Sequence, residues 1–397
     1  MLDFGAVYPG GILALQVGAA VLFAGWLTCS LFPGPLHFSA KPLYLPLLAL
    51  GAIAGGQLAL HRTAYWYTSF AEALLWSSYI LLFVAASELF ATERASRMAL
   101  HAFATFGPLL ALFALIQFFS GTDKIYWIHR PWQSSQYIFG PYVNRNHYAG
   151  VMEMLAPFAA MLGMDRDICG AAPRRALYLF GAGVMFASIF ISASRAGASC
   201  AVIELLLIAL LWQRRSGLPQ FKAAVAAAIS LIALAAFALW LDPMRLLGRA
   251  KMLHLSDELV MGRGAMTRDA LKMLWAHPVL GFGLHTFPVS YPAYRSFHTN
   301  LFINELHNDF LQVFVELGMA GGTALTVFLA LLYRDALRGL RRAGSLQSAS
   351  LIGITGLLAH SFFDFNLHIP ANAACFFVLC AWATHGYNES PKRAISE

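Results

Sequence analysis

The sequence predicts an all-α polytopic membrane protein, and three observations carry that reading. Apolar residues fill 59% of the 397 positions, against roughly 45–50% in a soluble domain. Charged residues make up 12%, about half the soluble norm, and the mean hydropathy is +0.62. The apolar residues also fall in runs near the roughly 20 residues that a membrane-spanning helix requires. So greasy a chain takes the bilayer as its solvent. The net charge of +7 would fit a nucleic-acid partner. The charges instead lie in short clusters between apolar runs, so no nucleic acid is expected.

Taken in order, the runs cover 11–32, 42–60, 70–90, 97–120, 147–164, 176–192, 196–213, 221–241, 308–333, 347–363 and 369–386. They predict about eleven spans, within a range of about 10–12. No basic segment precedes 11–32, so it reads as a first span and not as a cleavable signal. Two hydrophilic stretches, 121–146 and 242–306, exceed simple turns, and the second is long enough for a small extramembrane subdomain. The chain divides into N-terminal spans (1–120), spans bearing polar motifs (121–241), the large loop (242–306) and C-terminal spans (307–397). Cys29, Cys169, Cys200, Cys375 and Cys380 form no CxxC pair and sit mostly in apolar runs, so they read as small packing residues.

Lys and Arg set the orientation, because cytoplasmic loops collect them. Lys41, Arg94, Arg97, Arg166, Arg174, Arg175, Arg214, Arg215, Lys222, Arg334, Arg338, Arg341, Arg342, Lys392 and Arg393 fall on one side when spans alternate. The N-terminus and both long loops then lie outside. That outer side keeps positive charge of its own: Arg130, Arg145, Arg195, and Arg245, Arg249, Lys251, Arg263, Arg268, Lys272 and Arg295 in the loop. Surface pairing with Asp242, Asp257, Glu258, Asp269 and Glu305 accounts for much of it.

Four polar motifs mark the outer ends of spans. G-P-Y-V-N-R-N-H-Y-A-G (140–150) holds Asn144, Arg145, Asn146 and His147; its asparagines read equally as helix caps or ligand contacts. S-A-S-R-A-G (192–197) sets Arg195 among small residues, where a guanidinium fork can meet phosphate oxygens. Snorkelling to the interface is the plainer reading. H-N-D-F-L-Q-V-F-V-E-L-G (307–318) opens the ninth run with His307. A neutral imidazole there meets the requirement for a general base, with Asn308 and Asp309 beside it to orient the ring; a structural interfacial histidine is the alternative. H-S-F-F-D-F-N-L-H (360–368) closes the tenth run, with His360 and Asp364 four apart on one helical face. No HExxH or His-x-His spacing appears, so a metal site is not expected.

The third motif has the form H-[NSQ]-x-x-L-x6-G, through His307, Asn308, Leu311 and Gly318. It resembles the signature of the O-antigen ligase and O-antigen polymerase superfamily. S-R-A-G, N-R-N-H-Y-A-G, G-R-G (262–264) and H-P-V-L-G-F-G-L-H-T-F (277–287) are similar to the same family, and the likeness covers roughly 140–320. The resemblance implies a GT-C-like, metal-independent inverting glycosyltransferase of the bacterial inner membrane, without cofactor, its site facing the periplasm. It implies a glycan donor on undecaprenyl pyrophosphate and an acceptor that is a glycan or lipid A-core. By motif, Arg195 and Arg263 hold the pyrophosphate, with Arg268 the alternative five residues on, and His307 is the base. Arg145, Asn146, His147, Asn308, His360 and Asp364 complete the expected substrate site. Two other readings compete. A polysaccharide polymerase of the same superfamily differs in acceptor. A transporter or flippase of lipid-linked sugars calls for internal repeats, and none is found.

Overall fold

The computed structural model describes residues 1–31, 41–90, 93–130, 138–216, 257–300, 302–340 and 345–384. Its long helices are α1 (Pro9–Leu31), α2 (Tyr44–Ala59), α3 (Trp66–Leu89), α4 (Glu93–Phe119), α5 (Arg145–Met164), α6 (Ala172–Ser192), α7 (Arg195–Ser216), α8 (Asp257–Ala276), α9 (Asp309–Leu340), α10 (Ser345–His360) and α11 (Pro370–Ala383). Among the described residues, extended pairing is confined to two isolated bridges, Ile125 with His129 and Phe139 with Tyr142. Each expected apolar run within the described residues coincides with a helix; 221–241 lies outside them.

Among the described residues, six helices are long and apolar enough to cross a membrane, and this is a multi-pass membrane protein. The expected span at 221–241 lies outside those residues, so the six do not count the whole chain against the expected eleven. Three further apolar helices, in α2, α10 and α11, are shorter. The last two are shorter than their apolar runs for a local reason. α10 ends at His360 and the chain turns through 361–369 before Pro370 opens α11, so apolar sequence there is spent on a turn.

Burial separates lipid-facing from central helices. In α1 only Gly11 and Ala19 are buried, while Leu13, Val17 and Val21 are more than half exposed. That surface is stable only against hydrocarbon. α5 is the opposite: every residue from His147 to Gly163 is buried, against α4, α6, α7 and α10. It is the axis of the bundle. Within the large loop, α8 lays Met266, Ala270 and Met273 against Phe287, Tyr291, Leu306 and Val315. The spacing of three and four residues gives one apolar face, and this small second core sits beside the start of α9.

Candidate active site

His307 ends the non-helical stretch that leads into α9. Its φ of 57° is left-handed, a conformation that costs a residue with a Cβ roughly 1–2 kcal/mol. Asn308 caps the helix, its Oδ1 accepting the Leu311 N–H at 2.9 Å, as an N-cap side chain does toward the third helical residue. His307 Nδ1 lies 3.0 Å from Asp364 Oδ1.

Asp364 is the hub. It is 1% exposed, and its Oδ1 also takes the Phe365 N–H at 2.9 Å. Asn146 Nδ2 donates to Oδ2, and His147 Nε2 stands 3.9 Å from Oδ1. Burial works against ionising this carboxyl, but the His307 hydrogen bond, and the charges of His307, His147 and His360, outweigh it. The acid is held well below the usual carboxylate range. An ionised carboxylate only accepts, so His307 Nδ1 is the donor, and in the neutral ring Nε2 carries the lone pair. The ring is fixed further by the edge of Phe365, 4.9 Å away at 69°, yet its side chain remains 30% exposed.

This corrects the expectation that Asn308 and Asp309 orient the imidazole. Asn308 is occupied with its cap. Asp309 turns to the other side, where His368 Nδ1 lies 2.6 Å from Oδ1 and the Leu367 N–H reaches Oδ2 at 3.0 Å. Burial disfavours charge on His368, but Glu305 and the Asp309 hydrogen bond overcome it and push the imidazole up to about 10. Asn144 is a cap as well, accepting the Asn146 N–H.

Arg195 is the first residue of α7 and is exposed. Before it, Ala193 takes a left-handed φ of 58° to end α6, and Ser194 Oγ accepts the Gly197 N–H at 3.1 Å. A Cβ added at Gly197 would lie 2.6 Å from Ala149 Cβ. The first turns of α7 and α5 are therefore in close contact, and α5 begins with half-buried Arg145, then Asn146 and His147. Arg195, Arg145, Asn146, His147, Asp364 and His307 thus gather at one end of the bundle. His360 does not face that opening; it is fully buried, with Nδ1 2.8 Å from Glu153 Oε1. Arg263 and Arg268 lie on α8. Arg263 is half-buried and spaced three and seven residues from Met266 and Ala270, on the face that packs toward Leu306. Arg268 is exposed and five residues on, off that face.

A clamp joins the large loop to α9. Gly318 interrupts α9 with φ 64° and ψ −168°, and a Cβ there would strike the Val279 carbonyl. Met319 N–H donates to Pro278 O at 2.8 Å, and Phe282 N–H and Gly283 N–H donate to Val315 O and Glu316 O at 3.1 and 2.9 Å. The Glu316 carboxylate accepts the His285 N–H at 2.8 Å, the Phe287 N–H at 3.3 Å and Gln312 Nε2 at 3.1 Å. Sequence reasoning missed Glu316 and Gln312. Their signal was present: two polar residues four apart inside an apolar run.

Residues 180–326 match the family model described as O-antigen ligase. Over that stretch, rather more than a third of its length, the chain is similar to the O-antigen ligase family. The O-antigen ligase match takes in Arg195, Arg263, Arg268, His307 and Gly318; it begins after Asn146 and ends before Asp364. No curated protein matches the chain.

Proposed function

We propose that the protein transfers a glycan from a polyprenyl pyrophosphate to an acceptor hydroxyl, with inversion, at the outer (periplasmic) face of the bacterial inner membrane. The observation that carries this reading is the His307–Asp364 pair, which leaves Nε2 as the open acceptor on a partly exposed ring. In the step, the acceptor O–H gives its proton to His307 Nε2 while its oxygen bonds to the anomeric carbon. The bond from that carbon to the pyrophosphate oxygen breaks, and the electron pair leaves with the pyrophosphate. Asp364 holds the ring and balances the imidazolium. Arg195 and Arg263 neutralise the charge growing on the leaving group, with Arg145, Asn146 and His147 lining the same end of the bundle. A guanidinium suits this role because its planar donors pair with phosphate oxygens.

The test is transfer in vesicles holding the purified protein, an undecaprenyl-pyrophosphate glycan and an acceptor. The expected product carries the inverted anomeric configuration, and Arg195→Ala weakens both donor binding and turnover. Retained configuration, or donor movement across the bilayer without a new glycosidic bond, contradicts the reading. The acceptor separates ligase from polymerase: transfer to lipid A-core marks the first, and growth of the glycan chain marks the second.

A further inference from the structure

Three core helices bring two carboxyls and a histidine together near the turn that carries Asp364. Glu153 lies on α5, Glu204 on α7 and His360 at the end of α10, and all three are fully buried. At about 1.5 Å per residue, Glu153 is roughly 12 Å along α5 from Arg145, and Glu204 roughly 14 Å along α7 from Arg195. In a hydrocarbon core about 30 Å thick, both sit near the middle. Ionisable groups at such depth are costly and point to function.

Their hydrogen bonding is incomplete. His360 Nδ1 meets Glu153 Oε1. Among the described residues, His360 Nε2, Glu153 Oε2 and both oxygens of Glu204 are buried without a partner. A bare carboxylate in apolar surroundings takes up a proton in preference to staying charged. The fold also makes deliberate room for this group, since a Cβ at Gly356 of α10 would collide with the Glu204 carboxyl. The other titratable groups that face the cluster are Cys200 on α7, His147 on α5, and Asp364 and Asp309 beyond His360.

We propose that Glu204, Glu153 and His360 form a buried proton-binding site, in which Glu204 carries a proton and shares it with the open oxygen of Glu153. The site lies directly under the turn that presents Asp364, because His360 O accepts the N–H groups of Phe363 and Asp364 at 2.8 and 3.1 Å. Proton loss would set two carboxylates against each other between α5 and α7. Occupancy therefore holds that junction closed beneath Asp364 and Asn146.

Infrared spectroscopy of the full chain in lipid vesicles, without any glycan substrate, tests this. Wild type at neutral pH is expected to show the carbonyl stretch of a protonated carboxyl, moving to lower frequency in D2O. Glu204→Gln removes that band, and Glu153→Gln keeps it at a shifted frequency. A wild type lacking the band, or Glu204→Gln retaining it unchanged, overturns the proposal. Should Glu204→Gln fail to fold, Glu153→Gln decides: a band that does not move overturns the sharing.

Discussion

His307 is held by contacts that its own sequence neighbours do not supply. Its left-handed backbone is stabilised from outside, by a carboxylate 57 positions further along the chain. Asp364→Asn is therefore expected to leave the protein folded and to lower turnover about 10²–10⁴-fold, the contribution typical of a positioned base; a KM-dominated effect would instead assign Asp364 to binding. Asn308→Ala is expected to cost about 1 kcal/mol, as the loss of an N-cap does. Thermal unfolding in detergent checks that figure, and abolished donor binding would give Asn308 a ligand role. His368 has its own pH signature. Its pKa rises from 6.5 to about 10 on folding, so the folded state binds the proton more tightly. The resulting stability is complete below about pH 6.5 and lost as pH rises toward about 10. The melting-temperature gap between wild type and His368→Gln is expected to close over that window; a gap that widens contradicts the assignment.

At the scale of elements, the motif around 307–318 couples two structures. Its histidine starts α9, and its glycine breaks α9 so that the 277–287 loop can dock. Gly281, with φ 69°, faces the same contact, and a Cβ there would come 2.5 Å from Glu316 O. Gly318→Ala and Gly281→Ala are each expected to destabilise the docked loop and to raise its hydrogen exchange at Phe282 and Gly283, with exchange in α5 unchanged. Protection that stays at wild-type level would mean the clamp tolerates a side chain. The sequence made the helices readable because apolar runs dictate them, and it singled out His307 and Arg195 because a polar residue at the end of such a run stands out. It did not reveal that Asp364 orients His307, since side-chain pairing across 57 residues leaves no periodic trace. Nor did it reveal that Asp309 and Asn308 turn away, because a cap and an ion pair compete for the same residue types. The apolar runs extend past α10 and α11 because the turn between them carries apolar Phe362, Phe363 and Ile369 at its edges, with Phe362 and Phe363 exposed.

For the whole molecule, the proposed transfer requires the starts of α5, α7 and α9 to share one face, and the basic C-terminal end of α9 to lie on the other. Phe302, 75% exposed just before His307, and Arg338, near the end of α9 and exposed, test this as single cysteines in a Cys29→Ser background. A membrane-impermeant maleimide on intact spheroplasts is expected to label Phe302→Cys, and Arg338→Cys only after permeabilisation. The reversed pattern would invert the topology. In that transfer the open nitrogen of His307 is proposed to take the acceptor proton. The most direct measurement of this step is single-turnover transfer by His307→Ala, with donor binding followed in the same vesicles. Undiminished donor binding with transfer abolished is the expected result, and transfer at the wild-type rate would contradict it.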